Sequence, residues 1–212
     1  MKIAILGTGA VGRTLSARLV ELGHDVVIGT RDVQATEARE EEPFPAPLAT
    51  AAAAAAGAEL IINATAGQAS VAALSGAGAA QLAGKVVVDI SNPLDFSLGF
   101  PPFLAICNTD SVGEQVQRAF PEAQVVKTLN TVTAEVMVHP ERVAGGDHTI
   151  FVSGDDAEAK ETVSGLLREF GWRDIIDLGD ITTARGTEIM LPLWVRLMGA
   201  LGTTEFNYKL VR

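Results

Sequence analysis

Three glycines near the amino terminus have a spacing suited to binding a diphosphate. Gly7, Gly9 and Gly12 follow the apolar run "KIAIL" and form the pattern G-x-G-x-x-G. In this pattern the first glycine permits a tight turn, the second lets the backbone approach a pyrophosphate, and the third lets the next helix pack closely. The helix amino terminus supplies N–H groups and a partial positive charge. The candidate phosphate-binding residues are Gly7, Thr8, Gly9, Ala10, Val11 and Gly12.

Thr30 and Arg31 stand where the second strand of such a unit ends, and they bear on the choice of dinucleotide. Units that bind NAD carry an acid near this point, which accepts a hydrogen bond from the ribose 2′-OH. Arg31 can instead pair with a 2′-phosphate through two N–H groups, and Thr30 can donate its hydroxyl. The pattern favours NADP. The alternative is a solvated Arg31, with Asp32 as the ribose acceptor and NAD as the cofactor.

Small polar residues follow three further predicted strands. Because ligands of parallel sheets bind outside the carboxyl ends of the strands, these segments are expected to border the same site. Asn, Ser and Pro are also common turn formers, so a single such segment would mean little, and the argument rests on several of them at one edge. The candidates are Asn63, Ala64, Thr65 and Ala66, then Ser91, Asn92 and Pro93, and finally Asn130 and Thr131.

The sequence contains no pattern typical of a metal site or of a nucleophile elbow. The histidines at positions 24, 139 and 148 are predicted to be structural or exposed, and Cys107 to be an inert thiol. Lys127, late in the fifth predicted strand, is an open candidate for a group that faces the pocket. We therefore assign no catalytic residue and no metal. Hydride transfer is the expected chemistry, since a cofactor then carries the reaction and the protein positions the reactants.

The elements that would position these residues alternate between strands and helices. Seven apolar runs predict strands, beginning with "KIAIL" and "DVVIG" and ending with "WRDIIDLG". The acidic, Pro-rich stretch 37–47 predicts an exposed loop, and the pattern from Ile181 up to "NYKLVR" is helical. These features predict an α/β fold with a doubly wound, mostly parallel sheet. We expect a Rossmann domain over residues 1–178 and a short C-terminal helical extension over 179–212, both in one compact unit.

Composition indicates which kinds of partner the protein is expected to bind. The formal net charge is −10 and no basic stripe is visible, which argues against nucleic-acid binding. One cysteine excludes an internal disulfide and is compatible with the cytoplasm. No secretory signal is predicted, because no basic region precedes an apolar stretch at the amino terminus. No membrane span is predicted, because the two most apolar stretches contain charged or polar residues. The expected partner is a small-molecule redox substrate.

Three segments together resemble the F-420-dependent NADP oxidoreductases. They are the first 31 residues, "DISNPL" and "VVKTLNTV". The same module resembles the cytoplasmic part of membrane ferric reductases. The resemblance implies that residues 8–12 hold the pyrophosphate, that Thr30 and Arg31 hold the 2′-phosphate, and that 63–66 pass beside the adenosine half. It also implies a nicotinamide end bordered by Ser91, Asn92, Pro93, Asn130 and Thr131.

The resemblance implies hydride transfer between NADP(H) and a deazaflavin, coenzyme F-420, without a covalent intermediate on the protein. A flavin-like acceptor stays open, because the loop "LDFSLGFPPF" and the tail "MLPLWVRLMGALGTTEFNYKLVR" depart from the family pattern. Two other functions also remain open: an NADPH sensor without turnover, and a small-substrate NADP dehydrogenase in which Lys127 is the acid or base.

The apolar tail itself has more than one interpretation. It can pack as core against the sheet, cover the nicotinamide, or form a dimer interface. Trp194, Phe206 and Tyr208 would be suitable interface anchors. We expect a homodimer.

Overall fold

The computed structural model describes residues 1–39 and 41–212. Glu40, in the predicted loop 37–47, lies outside the described residues. The strands are β1 (Lys2–Leu6), β2 (Asp25–Thr30), β3 (Leu48–Thr50), β4 (Leu60–Asn63), β5 (Val86–Asp89), β6 (Leu94–Asp95), β7 (Phe103–Leu104), β8 (Gln124–Lys127), β9 (Thr149–Val152) and β10 (Asp174–Asp177). The helices are α1 (Ala10–Glu21), α2 (Val33–Glu37), α3 (Ala51–Gly57), α4 (Ser70–Ala77), α5 (Ala79–Leu82), α6 (Val112–Ala119), α7 (Ala134–Val138), α8 (Ala157–Phe170), α9 (Ala184–Ile189) and α10 (Leu191–Leu201).

Six strands form a parallel sheet in the order β3-β2-β1-β4-β5-β8. Its central strands are continuous apolar runs because helices cover both faces of a parallel sheet. The strand order reverses direction at β1, so that β2 and β4 lie on either side of it. This arrangement confirms the predicted α/β fold with a doubly wound, mostly parallel sheet.

Alternation along β1 divides the core into two layers. Ile3 and Ile5 point to one face, where they pack with Leu15 and Leu19 of α1 and with apolar residues of α7 and α8. Ala4 and Leu6 face the opposite layer, which is formed by α3, α4 and α6. Two-sided burial leaves the strand ends as the part of the sheet that can be open to a ligand.

The sixth and seventh predicted strands exist, but they form a separate parallel pair, β9 and β10. An antiparallel bridge between Lys127 and Ser153 joins this pair to the edge of the main sheet, with a distance of 2.8 Å from the Lys127 N–H to the Ser153 carbonyl. The bridge makes the sheet mixed beyond β8. It also fixes the end of β8, which carries Lys127.

The sequence analysis did not predict three short strands. β3 has only three residues and pairs at the edge of the sheet with β2. β6 and β7 have two residues each and form an antiparallel hairpin within the aromatic loop after Pro93. Periodicity is not detectable in segments this short, because two or three residues cannot show an alternating pattern.

The carboxyl-terminal region is helical, as predicted, but the helices end at Leu201. Gly202 has a φ of 66° and supplies the left-handed helix end. The stretch after it, residues 203–212, has no regular secondary structure and contacts β9, where the Thr149 N–H donates to the Tyr208 carbonyl at 2.9 Å. Within the described residues, no helix combines the length and apolar character that a membrane span needs. The boundary at residue 178 remains a prediction.

Candidate functional site

The glycine loop joins β1 to α1 at the carboxyl edge of the sheet. Gly7 has a φ of 131°, a conformation that L side chains rarely adopt. Gly9 is the N-cap of α1, and no side chain of the described residues forms a capping bond there. Gly9 and Ala10 are exposed. The first N–H groups of this 12-residue helix are thus available to an anion.

The three glycines have different surroundings, which explains their spacing. A Cβ atom on Gly7 would lie 2.4 Å from the Ala64 carbonyl oxygen, and one on Gly12 would lie 2.1 Å from the Gly7 carbonyl oxygen. Both positions therefore require glycine for close backbone packing. A Cβ on Gly9 would meet no atom within 4 Å. The space beside Gly9 is open, as the approach of a ligand would require.

Arg31 is exposed directly after β2, and the carbonyl oxygen of Gly29, two residues before it, lies 3.4 Å from the Gly7 nitrogen. Among the described residues, Arg31 forms no hydrogen bond or ion pair. Asp32 caps α2, since its carboxylate accepts from the Ala35 N–H at 3.0 Å. The Thr30 hydroxyl lies 2.7 Å from the hydroxyl of Thr36, a buried residue of α2. Of these three side chains, only that of Arg31 is without such a contact.

A row of buried polar side chains crosses the carboxyl ends of three adjacent strands. Asn63, Asp89 and Lys127 end β4, β5 and β8 and lie in register. The Asn63 amide donates to Asp89 Oδ1 at 2.8 Å, and Lys127 Nζ donates to Asp89 Oδ2 at 2.8 Å. Asn63 also donates to Ser70 and accepts from Thr65, at 2.9 and 2.7 Å. These side chains hold the strand ends together rather than face solvent.

Lys127 donates to the Ser91 carbonyl at 2.5 Å and lies 2.8 Å from Glu188 Oε1. Its side chain is 0% exposed. Burial opposes the charged form of this lysine, but the carboxylates of Asp89 and Glu188 outweigh burial and raise its pKa. Lys127 is therefore a buried structural cation and does not face an open pocket.

The loops after β4, β5 and β8 are hydrogen-bonded to one another. Asn92 and Asn130 pair through their side chains at 3.0 Å, and Asn130 also donates to the Thr187 carbonyl at 3.1 Å. Leu129, just before Asn130, adopts a left-handed φ of 58°. The Gly67 N–H donates to the Asn92 carbonyl at 3.2 Å, and a Cβ on Gly67 would lie 2.2 Å from that oxygen. This edge is a connected unit.

The structure brings the predicted candidates to one edge of the sheet, but it buries several of their side chains. Asn63, Ser91, Asn130 and Thr131 are buried, as is Pro93. The exposed or half-buried surface comes from other predicted residues: Thr8, Gly9, Ala10, Arg31, Ala64, Thr65, Ala66 and Asn92. Gly7, Val11 and Thr30 are half-buried as well, and Gly12 is buried.

Sequence reasoning missed Gly67, Asp89 and Glu188. Asp89 had a detectable signal, since it is an acid that ends the buried run "VVVD". Glu188 had none, because it lies in α9, far along the chain from the residues of β8 and α6 that it contacts.

The remaining candidates lie away from this edge or form other contacts. His24 Nε2 lies 2.8 Å from a Glu169 oxygen, and His148 is buried with its Nε2 2.8 Å from the Pro140 carbonyl. Cys107 is exposed and unpaired. Across residues 1–39 and 41–212, no group of three or more metal-ligating side chains is present.

Comparisons with known proteins agree on one family. Residues 2–93 match the model of "NADP oxidoreductase coenzyme F420-dependent". Over 93% of the chain it is 31% identical to the F420-dependent NADP reductase of Methanocaldococcus jannaschii, of which it covers 92%. Over its whole length it is 33% identical to rat (Rattus norvegicus) Metalloreductase STEAP3, but it spans only 42% of that protein.

A crystal structure of a protein assigned as F420-dependent NADP-reductase, from Arthrobacter sp. FB24, superimposes with a TM-score of 0.97. The two sequences are 61% identical, and the match covers 100% of both chains. The family model matches the part of the chain that contains the glycine loop, and both relatives of this activity match over nearly the whole chain. The chain therefore belongs to the F420-dependent NADP reductase family of NADP-dependent oxidoreductases.

Proposed function

We propose that this chain transfers hydride between NADP(H) and a deazaflavin acceptor such as coenzyme F420. A flavin-like acceptor is the second candidate, because the hairpin loop and the tail differ from the family pattern. The observation that carries the proposal is the exposed Arg31 at the end of β2, joined through Gly29 to a glycine loop with an open helix amino terminus. The assigned activity of the relatives supports NADP and F420 as the reactants.

The residues at the edge fit the dinucleotide. The open space beside Gly9 suits a diphosphate at the start of α1, since a Cβ there would meet no protein atom. Arg31 would bind the 2′-phosphate with a charge-assisted pair. Asp32 already caps α2, which supports NADP over the alternative in which Asp32 accepts from a ribose hydroxyl. Residues 63–66 would pass beside the adenosine half.

The nicotinamide ring supplies the hydride when the cofactor is bound, so the chain's own residues need only bind, orient and exclude water. We assign the nicotinamide end to Ser91, Asn92, Pro93, Asn130 and Thr131. The hairpin that starts after Pro93 would border the second substrate. It exposes apolar side chains, with Leu98 80% and Phe100 68% exposed. Such a surface suits a planar, apolar-faced acceptor better than a small hydrophilic one.

The contacts of Lys127 argue against a small-substrate dehydrogenase that would use this lysine as its acid or base. Its side chain is 0% exposed and lies between two carboxylates. An NADPH sensor without turnover is the remaining alternative. Stopped-flow absorbance distinguishes hydride transfer from an NADPH sensor. NADPH is mixed with oxidised F420, and in a parallel series with FMN. Faster oxidation of NADPH with F420 supports the proposal, whereas a stable NADPH complex with both acceptors contradicts it.

The role of Arg31 is tested by Arg31→Ala. Loss of a charge-assisted hydrogen bond costs about 1.5–3 kcal/mol, so the Kd for NADPH is expected to rise roughly ten- to hundred-fold. The Kd for NADH should stay within about two-fold, because NADH lacks the 2′-phosphate that Arg31 would bind. Isothermal titration calorimetry with both dinucleotides measures the two constants.

Arg168→Ala is the matched control, because Arg168 is also an exposed arginine but lies on α8 and pairs with Glu161 at 2.7 Å. It should leave both dissociation constants unchanged. Equal weakening of NADPH and NADH by Arg31→Ala would contradict the assigned role.

We also propose that the protein is a homodimer that uses the apolar surface of the tail. Leu193 and Leu201 are 53% and 56% exposed on α10. Trp194 and Phe206 stack on one another, with ring centroids 5.2 Å apart, and both are half-buried, as is Tyr208. Exposed apolar side chains on one helix favour association. Sedimentation equilibrium decides between dimer and monomer, and a monomer across the concentration range contradicts this proposal.

A further inference from the structure

Three charged side chains form a buried cluster that hydride transfer between two bound molecules does not need. Asp89 ends β5, Lys127 ends β8 and Glu188 lies in α9; they are 0%, 1% and 2% exposed. Lys127 Nζ lies 2.8 Å from an oxygen of each carboxylate. Burial of charges is costly even when they are paired, so this cluster requires a reason beyond packing.

The cluster contacts the loop after β5 through Ser91. The third contact of the Lys127 ammonium is the carbonyl oxygen of Ser91, at 2.5 Å. The Ser91 hydroxyl also donates to Asp89 at 2.7 Å. Ser91 is the first residue of the 91–93 segment that we assign to the nicotinamide end. The cluster therefore fixes the direction of the backbone where that segment leaves β5.

Glu188 connects this arrangement to the carboxyl-terminal helices. Its carboxylate accepts from the backbone N–H groups of Val112 and Gly113, at 2.8 and 3.1 Å, where α6 begins. The same carboxylate faces Lys127. Three donors thus converge on two oxygens, and the partial positive charge at the start of α6 partly offsets the second carboxylate. A neutral amide of the same shape cannot satisfy all three donors.

We propose that Glu188 is a positioning residue for hydride transfer. Through Lys127 it holds the Ser91 carbonyl and orients the 91–93 segment beside the nicotinamide; this role rests on the proposed function. Glu188 touches neither reactant in this assignment. Its effect should fall on the transfer step, because hydride transfer depends on the placement of the reacting atoms. NADPH affinity should change little, since the phosphates would bind at α1 and β2.

The test is Glu188→Gln. The amide has one acceptor oxygen, so its NH2 group must face a backbone N–H or the Lys127 ammonium. We expect the single-turnover rate of NADPH oxidation by F420 to fall roughly ten- to hundred-fold, as for small misplacements of reactants. The Kd for NADPH, measured by calorimetry, should stay within about two-fold, because hydrogen bonds to its phosphates are retained.

Glu114→Gln is the matched control. Glu114 is also a buried carboxylate that joins α6 to α9, since Arg185 Nε donates to it at 2.8 Å. Its side-chain hydrogen bonds, to Ser111 and Arg185, do not reach the 91–93 segment. This variant should keep the wild-type transfer rate. If both variants lose rate equally, Glu188 only anchors the tail and the positioning role is wrong.

Hydrogen–deuterium exchange of the protein without nucleotide gives a readout that does not depend on activity. The Ser91 N–H donates to Asp89 Oδ1 at 3.3 Å, and the Ile90 N–H donates to the Asn63 carbonyl at 3.3 Å. Glu188→Gln should speed exchange in the peptide that covers residues 90–93, and Glu114→Gln should not. Unchanged exchange there contradicts the inference. A wild type that binds NADPH but reduces no F420 overturns the proposed acceptor instead, and the exchange result still decides the positioning role.

Discussion

The glycines of the 7–12 loop show how one residue type serves two purposes within six positions. Gly7 and Gly12 permit backbone groups to touch, whereas Gly9 leaves open space at the start of a helix. The first purpose concerns stability and the second concerns the ligand. A motif match cannot separate them, because it records only residue identity and spacing.

Substitution by alanine should separate these purposes. In Gly9→Ala the Cβ meets no protein atom, so stability should fall by about 1 kcal/mol or less, the cost of a poorer N-cap. NADPH binding should weaken roughly ten-fold or more, because the methyl group occupies the space assigned to the diphosphate and disturbs its charged hydrogen bonds. Thermal unfolding and calorimetry measure the two effects.

Gly12→Ala should mainly lower stability. Its Cβ would lie 2.1 Å from a backbone carbonyl oxygen, so the loop must shift. Overpacking of this kind costs about 1–3 kcal/mol, and each kcal/mol lowers Tm by roughly 2–4 °C in a chain of this size. A stable Gly9→Ala variant with unchanged NADPH affinity would contradict the assignment of the diphosphate to this loop.

At the scale of elements, the contact between α6 and α9 holds the helical tail against the domain. Glu114 in α6 accepts from Arg185 in α9 and from the Ser111 hydroxyl. Arg185 is the main cause of a lowered pKa for the Glu114 carboxyl, and burial opposes it. The sequence predicted the helical region that contains Arg185, but no pattern in it paired Arg185 with Glu114, which lies 71 positions away.

The lowered pKa predicts an acid-dependent contribution to stability. It is fully present above the unfolded pKa of 4.5 and is lost as pH falls through the lower folded pKa. Glu114→Gln should therefore reduce the free energy of unfolding at pH 7 by about 1.5–3 kcal/mol, and the difference should shrink below pH 4.5. Urea unfolding at several pH values measures this.

Glu161→Gln provides the comparison for an exposed pair, since Glu161 bonds Arg168 at 2.7 Å but is 72% exposed. Exposed pairs contribute about 0–1 kcal/mol, so this variant should change little at any pH. A Glu114→Gln variant with the same pH profile as the wild type would show that Arg185 does not stabilise the carboxylate.

In the molecule as a whole, Lys127 connects three parts that are distant in sequence: the main sheet, the β9–β10 pair and the C-terminal helices. Its backbone pairs with Ser153, and its ammonium contacts Asp89 and Glu188. Removal of one partner from such a cluster leaves charge buried without compensation. Lys127→Met should therefore reduce the free energy of unfolding by about 3–5 kcal/mol at pH 7.

The pH dependence of this loss has a defined sign. The folded pKa of Lys127 lies above 10.5, so the stability that its charge supplies is complete below pH 10.5 and is lost as pH rises through the folded value. The difference between wild type and Lys127→Met should therefore shrink above pH 10.5. Burial also raises the pKa of Tyr208, which weakens both proteins in the same alkaline range.

Lys160→Met is the control for a lysine with an exposed partner. Lys160 pairs with Asp177 at 2.8 Å, and the Asp177 side chain is 53% exposed. Its loss should cost about 1 kcal/mol or less. Denaturant unfolding followed by circular dichroism measures the free energy of unfolding of the wild type and of both variants. A Lys127→Met protein as stable as the wild type would mean that the cluster does not hold the three parts together.

Local sequence patterns were enough to predict the alternating elements, the glycine loop, and the edge at which the candidate residues meet. Apolar runs and glycine spacing express local requirements, such as burial on both faces of a strand and close backbone packing at Gly12. Arg31 was identifiable for the same reason, because its position relative to the loop is fixed within one β-α-β unit.

Which polar side chains face the ligand edge, and which are buried in it, depends on how the strands and helices pack. Asn63, Asp89 and Lys127 become neighbours because three strands that are distant in sequence lie in register. Glu188 joins them from α9, although nothing near it in sequence indicates a partner. Side-chain contacts between distant segments depend on how layers pack, and local patterns carry no information about that packing.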